Sequence, residues 1–385
     1  MKQSAWLKDF QCLGDKCEDT CCKGWGMQVD EATVARYKEQ APELMDNITS
    51  GEAAHIMKRD EETDYCLKFD DGWCGIHASK GSDFLGDACH FFPRISRQLG
   101  DQVVQTASVS CPEVARLALL NPPEEPWHET ENGRLPYSLA NYLPTGIEAE
   151  KALTTHEAFL TAAMAEDAPV GKIIARIHAV ASSMMLVDEA TWPMAVEFYL
   201  KSADTRLTQP QKGEYDAMQL FHALAGLEGA AKRSSTRARL EAVLTTIKQA
   251  LDVQVDAETG VIHASNQTAQ NIETMQEGWQ FVDEQWQPYF KRLLHTELEM
   301  ALFPFSGFGE TLADRITIIG VRIATLRLAL QSHLFVNQTL TEEEAITITQ
   351  SIARFLDHLA DPTLSMGIYN ETGWTKTERL WGLFD

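Results

Sequence analysis

The sequence predicts a mainly α fold in two unequal parts, an irregular cysteine-rich N-terminal domain followed by an α-helical domain. Three observations predict it. All eight cysteines of the 385-residue chain lie at or before Cys111. Glycines and short apolar runs break up the segment that carries them, whereas the chain after about Ser138 is filled with apolar residues at helical spacing. No run of alternating β-branched strands separated by helices occurs, which argues against a doubly wound nucleotide-binding sheet. The expected boundaries are 1–120 for the cysteine-rich domain, 121–137 for a linker and 138–385 for the helical domain. Such a length exceeds what one hydrophobic core usually organises.

The start, MKQSAWLKDFQCLG, lacks the continuous apolar stretch of a secretory signal, and no later segment approaches the roughly 20 apolar residues that span a bilayer. A cytoplasmic protein without a membrane partner is expected. In a reducing cytoplasm, clustered thiols serve metal ligation or redox chemistry rather than disulfides. Cys12, Cys17, Cys21 and Cys22 fall within eleven positions, and Cys66, Cys74, Cys89 and Cys111 follow. Eight thiolates can fill two four-coordinate sites, or one cluster with a few structural or reactive thiols beside it. Soft thiolates select zinc, copper(I) or iron–sulfur clusters, and the short loop from Cys17 to Cys22 closes around a metal at less entropic cost than distant ligands would. The adjacent pair Cys21–Cys22 suits a compact cluster shell better than regular zinc spacing, so an iron–sulfur cluster is favoured and zinc is the alternative. Neighbouring side chains tend to diverge, so the pair is expected to serve different sites or to fold around one cluster. His77 and His90 lie in the same region, but eight cysteines leave no need for either as a ligand. Cys17 and Cys21 match the first two positions of the C-x3-C-x2-C pattern of radical enzymes that bind S-adenosylmethionine. Gly24 stands at the third, which disfavours that chemistry.

Within the first part only DEATVARYKEQA (30–41) and PEVARLALL (112–120) read as helices. NPPEEPWHETENGRLP (121–136), with four prolines and polar filling, reads as the linker. Beyond it, Val170, Ile173, Ile174, Ile177, Ala181, Met184 and Met185 fall on one helical face, with Pro169 suited to a first turn. Leu240, Val243, Leu244, Ile247 and Leu251 repeat the pattern, as do Ile316, Ile319, Ile323, Leu326 and Leu330. Thr341 and Glu344 have capping-box spacing, Ile348, Ile352, Phe355 and Leu359 line one face, and Pro362 supplies a stop. His178 and His358 sit on these helices and need no chemistry. These are core stripes, and no phosphate loop, GxSxG elbow or HExxH occurs among them. The net charge of −23 is spread along the chain. It disfavours nucleic acid and anionic lipid and favours solubility or a lysine-bearing protein partner.

CEDTCCKGW (17–25), followed by Asp30 and Tyr37, CLKF (66–69), CGIH (74–77), CHFFPR (89–94) and SVSCPEVARL (108–117) together resemble the flagellin lysine N-methylases of motile bacteria. The cysteine block alone is similar to a wider class of zinc- or iron-chelating domains. LFPFSG (302–307) and SIARFLDH (351–358) are similar to the methylases as well, so the likeness covers most of the chain. His90 departs from the arginine common there. The resemblance implies a cytoplasmic protein-lysine N-methyltransferase that uses S-adenosylmethionine on flagellin, with the helical domain recognising the protein substrate. In that reading Trp25 stacks on adenine or covers the sulfonium, Arg94 pairs with the methionine carboxylate, and Glu113 is a further cofactor contact. The competing roles are packing around the metal for Trp25, a structural ion pair for Arg94 and a first-turn carboxylate for Glu113. The sequence names no base for the lysine amine. A metal-scaffolded protein-binding module and an iron–sulfur redox protein are the alternative functions.

Overall fold

The computed structural model describes residues 1–385 apart from 52–53, 121, 123–126, 132, 231–236, 257, 358, 360 and 361. Helices dominate it, with several small sheets. The longest helix, Leu312–Asn337, opens on a capping box between Thr311 and Asp314 and stops at Gln338, whose backbone is left-handed. Its predicted stripe, Ile316, Ile319, Ile323, Leu326 and Leu330, is buried throughout, packed against Val170–Met184, Arg237–Leu251 and Asp283–Ala301. Contrary to the expectation that no stretch approached a membrane span, this helix is long and apolar enough to cross one. In the fold, however, 67% of its most apolar window is buried inside the protein.

Two predicted helix starts differ in detail. Pro169 is the cap residue preceding Val170 rather than part of the first turn. The helix Glu342–Leu356 begins as expected, with Thr341 accepting from the Glu344 N–H and Glu344 accepting from the Thr341 N–H. It ends before Pro362, which opens a separate 3-10 turn, Pro362–Ser365. His358 lies outside the described residues.

The first third holds more regular structure than its sequence pattern suggests. A four-stranded sheet runs in the order Arg94–Leu99, Gln102–Ala107, Lys2–Ser4, Trp127–Glu129. The first two strands form an antiparallel hairpin. Lys2–Ser4 lies parallel to Gln102–Ala107 and antiparallel to Trp127–Glu129. Part of the stretch read as a linker is therefore a sheet edge, with Gln3 opposite His128. Three residues are too few for a period-two pattern to show, and the strand exists because the chain's own N-terminal strand offers it partners. Residues 121, 123–126 and 132 of that stretch lie outside the described residues.

The buried apolar clusters do not divide at residue 120. Trp6, Leu7, Leu99, Val104, Val109 and Val114 join the helical core. A second cluster of ten buried residues, from Met27 to Leu85, stands apart from it, with Cys21, Cys66, Cys74 and Cys89 packed against it. Around this small core Asp30 caps the helix Glu31–Gln40 by accepting from the Thr33 N–H (2.8 Å) and also accepts from the Asp87 N–H (2.9 Å). It thereby ties that helix to the short Asp87–Phe91 helix that bears Cys89.

Candidate functional site, a thiol-lined cavity

Separate local structures present the cysteines. Cys17 N–H donates to Gly14 O (3.1 Å) across the 3-10 turn Gly14–Lys16. Gly14 has φ +59°, and a side chain there would run into the Trp73 ring, so glycine is required. Cys66 N–H donates to Cys22 O (2.8 Å), joining the first cysteine segment to the next. Cys74 pairs with Phe69 in a two-stranded ladder and precedes the helix Gly75–Lys80. As a result Cys12, Cys17, Cys21, Cys22, Cys66, Cys74 and Cys89 all line one cavity of about 550 Å³. Cys111 is outside the lining, at the cap of the helix Pro112–Leu119, within electrostatic reach of Cys17 and Cys21. All eight are free thiols.

Cys21, Cys22 and Cys74 influence one another in the cavity wall. The neighbouring Cys21 and Cys74 sulfurs raise the pKa of Cys22. The Cys22 thiol in turn lowers Cys21, and lowers Cys74 to about 6. Burial pushes the remaining thiols up: Cys12 and Cys66, Cys17 to about 11, Cys89, and Cys111 to about 12. Desolvated thiols stay protonated unless a strong positive charge joins them, and a bound metal ion is the group that inverts this balance. Among the described residues no group of three or more Cys, His, Asp or Glu is arranged to hold a metal ion. Seven of the eight cysteines expected as ligands thus share a cavity, with Cys111 beside it, and no ready-made single-ion site is formed among the described residues.

Of the other expected site residues, Arg94 lines the cavity. Its guanidinium lies 4.9 Å from the Phe10 ring, within electrostatic reach of Cys12 and Cys111, and burial lowers its pKa. Trp25 is not in the lining: its indole N–H donates to Met27 Sδ (3.1 Å), its ring packs on Phe92 (5.4 Å), and the Arg354 guanidinium covers it at 4.4 Å. Glu113 is also outside the lining, in the first turn of its helix and 3.6 Å from Arg116. His77 and His90 both line the cavity. Sequence reasoning missed Gln3, Gln105, Lys68 and Glu131. Glu131 is the one carboxylate among the described lining residues. It follows the Trp127–Glu129 strand in the stretch whose prolines marked a linker, and no motif flags it.

Comparison with known proteins gives distant relatives. A 130-residue match at 27% identity to Flagellar biosynthetic protein FliU of Salmonella muenchen covers 31% of this chain and 77% of that protein. Two proteins named Lysine-N-methylase, from Salmonella choleraesuis (strain SC-B67) and Salmonella typhimurium (strain LT2), match at the same identity and length. Those matches cover 31% of this chain and 32% of each relative, so they span about a third of either methylase. The resemblance to lysine N-methylases is borne out at this distance, over about a third of the chain rather than most of it. No family model matches the chain, and no solved structure matches it.

Proposed function

We propose that the chain is a protein-lysine N-methyltransferase that modifies flagellin with S-adenosylmethionine, its cavity organised by a cysteine-ligated iron–sulfur cluster. The observation that carries this reading is the convergence of seven thiols, Arg94 and Glu131 on one cavity, in a chain with relatives named Lysine-N-methylase.

The donor set suits a cluster better than a zinc ion. Four thiolates on zinc at about 2.3 Å draw their sulfurs to about 3.8 Å of one another. Seven thiols on one cavity exceed the four that a zinc ion takes and would serve a larger inorganic group. A bound cluster would supply fixed geometry, tying the segments around Cys12–Cys22, Cys66–Cys74 and Cys89 into one wall.

The remaining work falls to this chain's side chains. A lysine ammonium has a pKa of about 10.4 and is no nucleophile until it loses a proton. Glu131 accepts that proton, leaving a neutral amine and a carboxylic acid. Arg94 holds the carboxylate of the methyl donor's amino-acid end, which fixes the direction of approach. Phe10, Phe91 and Phe92 line the same cavity and give it an apolar wall. Bound S-adenosylmethionine would supply a methyl carbon on a cationic sulfur, with the lysine nitrogen as acceptor and the neutral thioether as leaving group.

Anaerobically purified chain incubated with flagellin and S-adenosylmethionine should add methyl units to flagellin, read by intact mass. Flagellin of unchanged mass, with an iron-loaded enzyme, would reject the methylation. Glu131→Gln should slow the reaction about 100-fold at neutral pH and recover as the pH nears the lysine pKa. A wild-type rate and pH profile in that variant would remove Glu131 from the mechanism.

A further inference from the structure

The SIARFLDH motif lies at the end of the helix Glu342–Leu356, outside the cavity lining, and its arginine is buried beside the core stripe of that helix. The Arg354 side chain is only 2% exposed. A guanidinium so placed is costly unless its donors are met. Nη1 donates to Asp19 O (2.8 Å) and pairs with Asp19 Oδ2 (2.6 Å); Nη2 donates to Thr20 O and Lys23 O (2.8 Å each). The same guanidinium covers Trp25. Every one of these contacts falls on 19–25, the segment that carries Cys21 and Cys22 and follows Cys17. The positive charge also reaches the Cys21 sulfur.

Arg354 does not act alone on that face. One turn earlier, Gln350 Nε2 donates to Asp19 Oδ2 (2.8 Å) and to Ser110 O (2.9 Å), the carbonyl just before Cys111. Three residues later, Asp357 accepts from Ser108 Oγ and is held in turn by Arg322 (2.6 Å). Positions 350, 354 and 357 share one helical face. That polar row grips the first cysteine segment and the last, which sequence places about ninety positions apart.

We propose that Arg354 is a positioning residue for the thiol centre: it fixes Cys21 and Cys22 in the cavity wall and sets a permanent positive charge beside Cys21. The proposal rests on reading the cavity as a metal centre. It makes that centre a property of the docked whole, completed by a helix more than 300 residues away in sequence. A cation beside the thiolates stabilises added negative charge, so it also favours reduction of a bound cluster.

The test compares the full chain, purified anaerobically, as wild type, R354Q, R354K and D19A, with R327Q as control. Arg327 is a guanidinium of the long helix, 14% exposed, paired with Asp283 and absent from the cavity lining. The measurements are iron and sulfide per chain, the reduction potential of any cluster, and the rate at which the metal-free chain reacts with a chromogenic disulfide. R354Q and D19A should each lose at least threefold in iron and react severalfold faster at their thiols. The cluster that remains in R354Q should reduce at a lower potential. R354K, which keeps the charge but not the forked contacts, should retain a near-wild-type potential at reduced iron content. R327Q should leave all three readings unchanged even where it lowers stability. Wild-type iron, thiol rate and potential in R354Q would overturn the proposal, as would an equal loss in R327Q. Absence of any metal from the wild type would instead defeat the reading of the cavity, and the thiol rates of the metal-free chains would still sustain or overturn the placement of Cys21 and Cys22.

Discussion

In the helical part, Ile316, Ile323, Leu326 and Leu330 of the long helix and Phe290, Leu293, Leu294 and Leu298 of Asp283–Ala301 are buried to 0% exposure. Between Met27 and Leu85 the corresponding core is ten residues, and the neighbouring volume is a cavity faced with thiols. The first region removes enough apolar surface from water to fold on hydrophobic burial. A unit of roughly 60 residues with so small a core usually needs a metal, a disulfide or a partner surface. With all eight cysteines free, the second region has no disulfide to supply that support, and the contacts of Arg354 tie the segment that precedes it to the helical part. The contrast separates stability that comes from a region's own packing from stability lent to it.

The largest expected effect follows from cutting each core once. Phe290 packs edge-on to Trp279 (6.2 Å) and Tyr289 (5.9 Å). Phe290→Ala should cost about 3–5 kcal/mol and lower the urea midpoint of the main unfolding transition. Leu44→Ala, at a 4% exposed site in the small core, should cost about 2–4 kcal/mol but open only its own region. Hydrogen exchange read by mass spectrometry should then show lost protection around residues 27–57 with the helices still protected. If Leu44→Ala deprotected both regions together, the two would be one cooperative unit and the comparison would fail.

The same contrast explains which parts were readable in advance. Period-3.6 stripes are local, so the helices around Ile173, Ile247, Ile323 and Ile352 follow from their own sequence, as does the capping box at Thr341 and Glu344. The sheet joining Lys2–Ser4 to Gln102–Ala107 and Trp127–Glu129 depends on pairings about a hundred residues apart, and strands of three residues carry no pattern to announce them. At the site, thiol chemistry exposed the cysteines because their clustering is rare, whereas Glu131 is one acidic residue among many. Arg354 left a faint trace, a charge in the last turn of a helix beside its apolar stripe. Reading it needed the carbonyls of Asp19, Thr20 and Lys23 in place.

A smaller effect lies at the seam between the sheet and the helices. Ser4 Oγ and Thr106 Oγ1 each donate to Glu299 Oε2 (3.2 Å), and burial lifts the Glu299 carboxyl to about 8. A carboxyl raised above its ordinary value holds a proton in the fold that the unfolded chain has already lost. Stability therefore falls as pH rises from about 4.5 toward 8, at up to about 1.4 kcal/mol per pH unit. Below about 6.5 the buried His156, His178 and His295, all lowered to about 4, act in the opposite direction, because the unfolded chain takes up protons that they refuse. The Glu299 contribution should be read between about pH 6.5 and 8, where Glu297, lifted to about 7 by burial, adds to its early part and Cys74, lowered to about 6, acts in the opposite direction. Across that window the slope of the urea midpoint against pH should be more negative in the wild type than in Glu299→Gln. An unchanged slope would mean that the seam carries its carboxyl ionised.

The smallest effect sharpens the comparison most directly. Thr341 caps the helix that carries Arg354, and Thr341→Ala should cost about 1 kcal/mol through loss of the bond to the Glu344 N–H. The two positions stand about 20 Å apart along the helix at 1.5 Å per residue. Capping acts on the first turn, whereas the hold on Cys21 and Cys22 acts at the far end, so Thr341→Ala should lower the unfolding midpoint while leaving iron content and thiol reactivity untouched. R354Q should do the reverse at the cavity, with a larger loss of iron than its change in stability would explain. If the cap variant lost iron in proportion to stability, occupancy of the cavity would track the firmness of the whole helical part, and the separate role assigned to the guanidinium would dissolve into it.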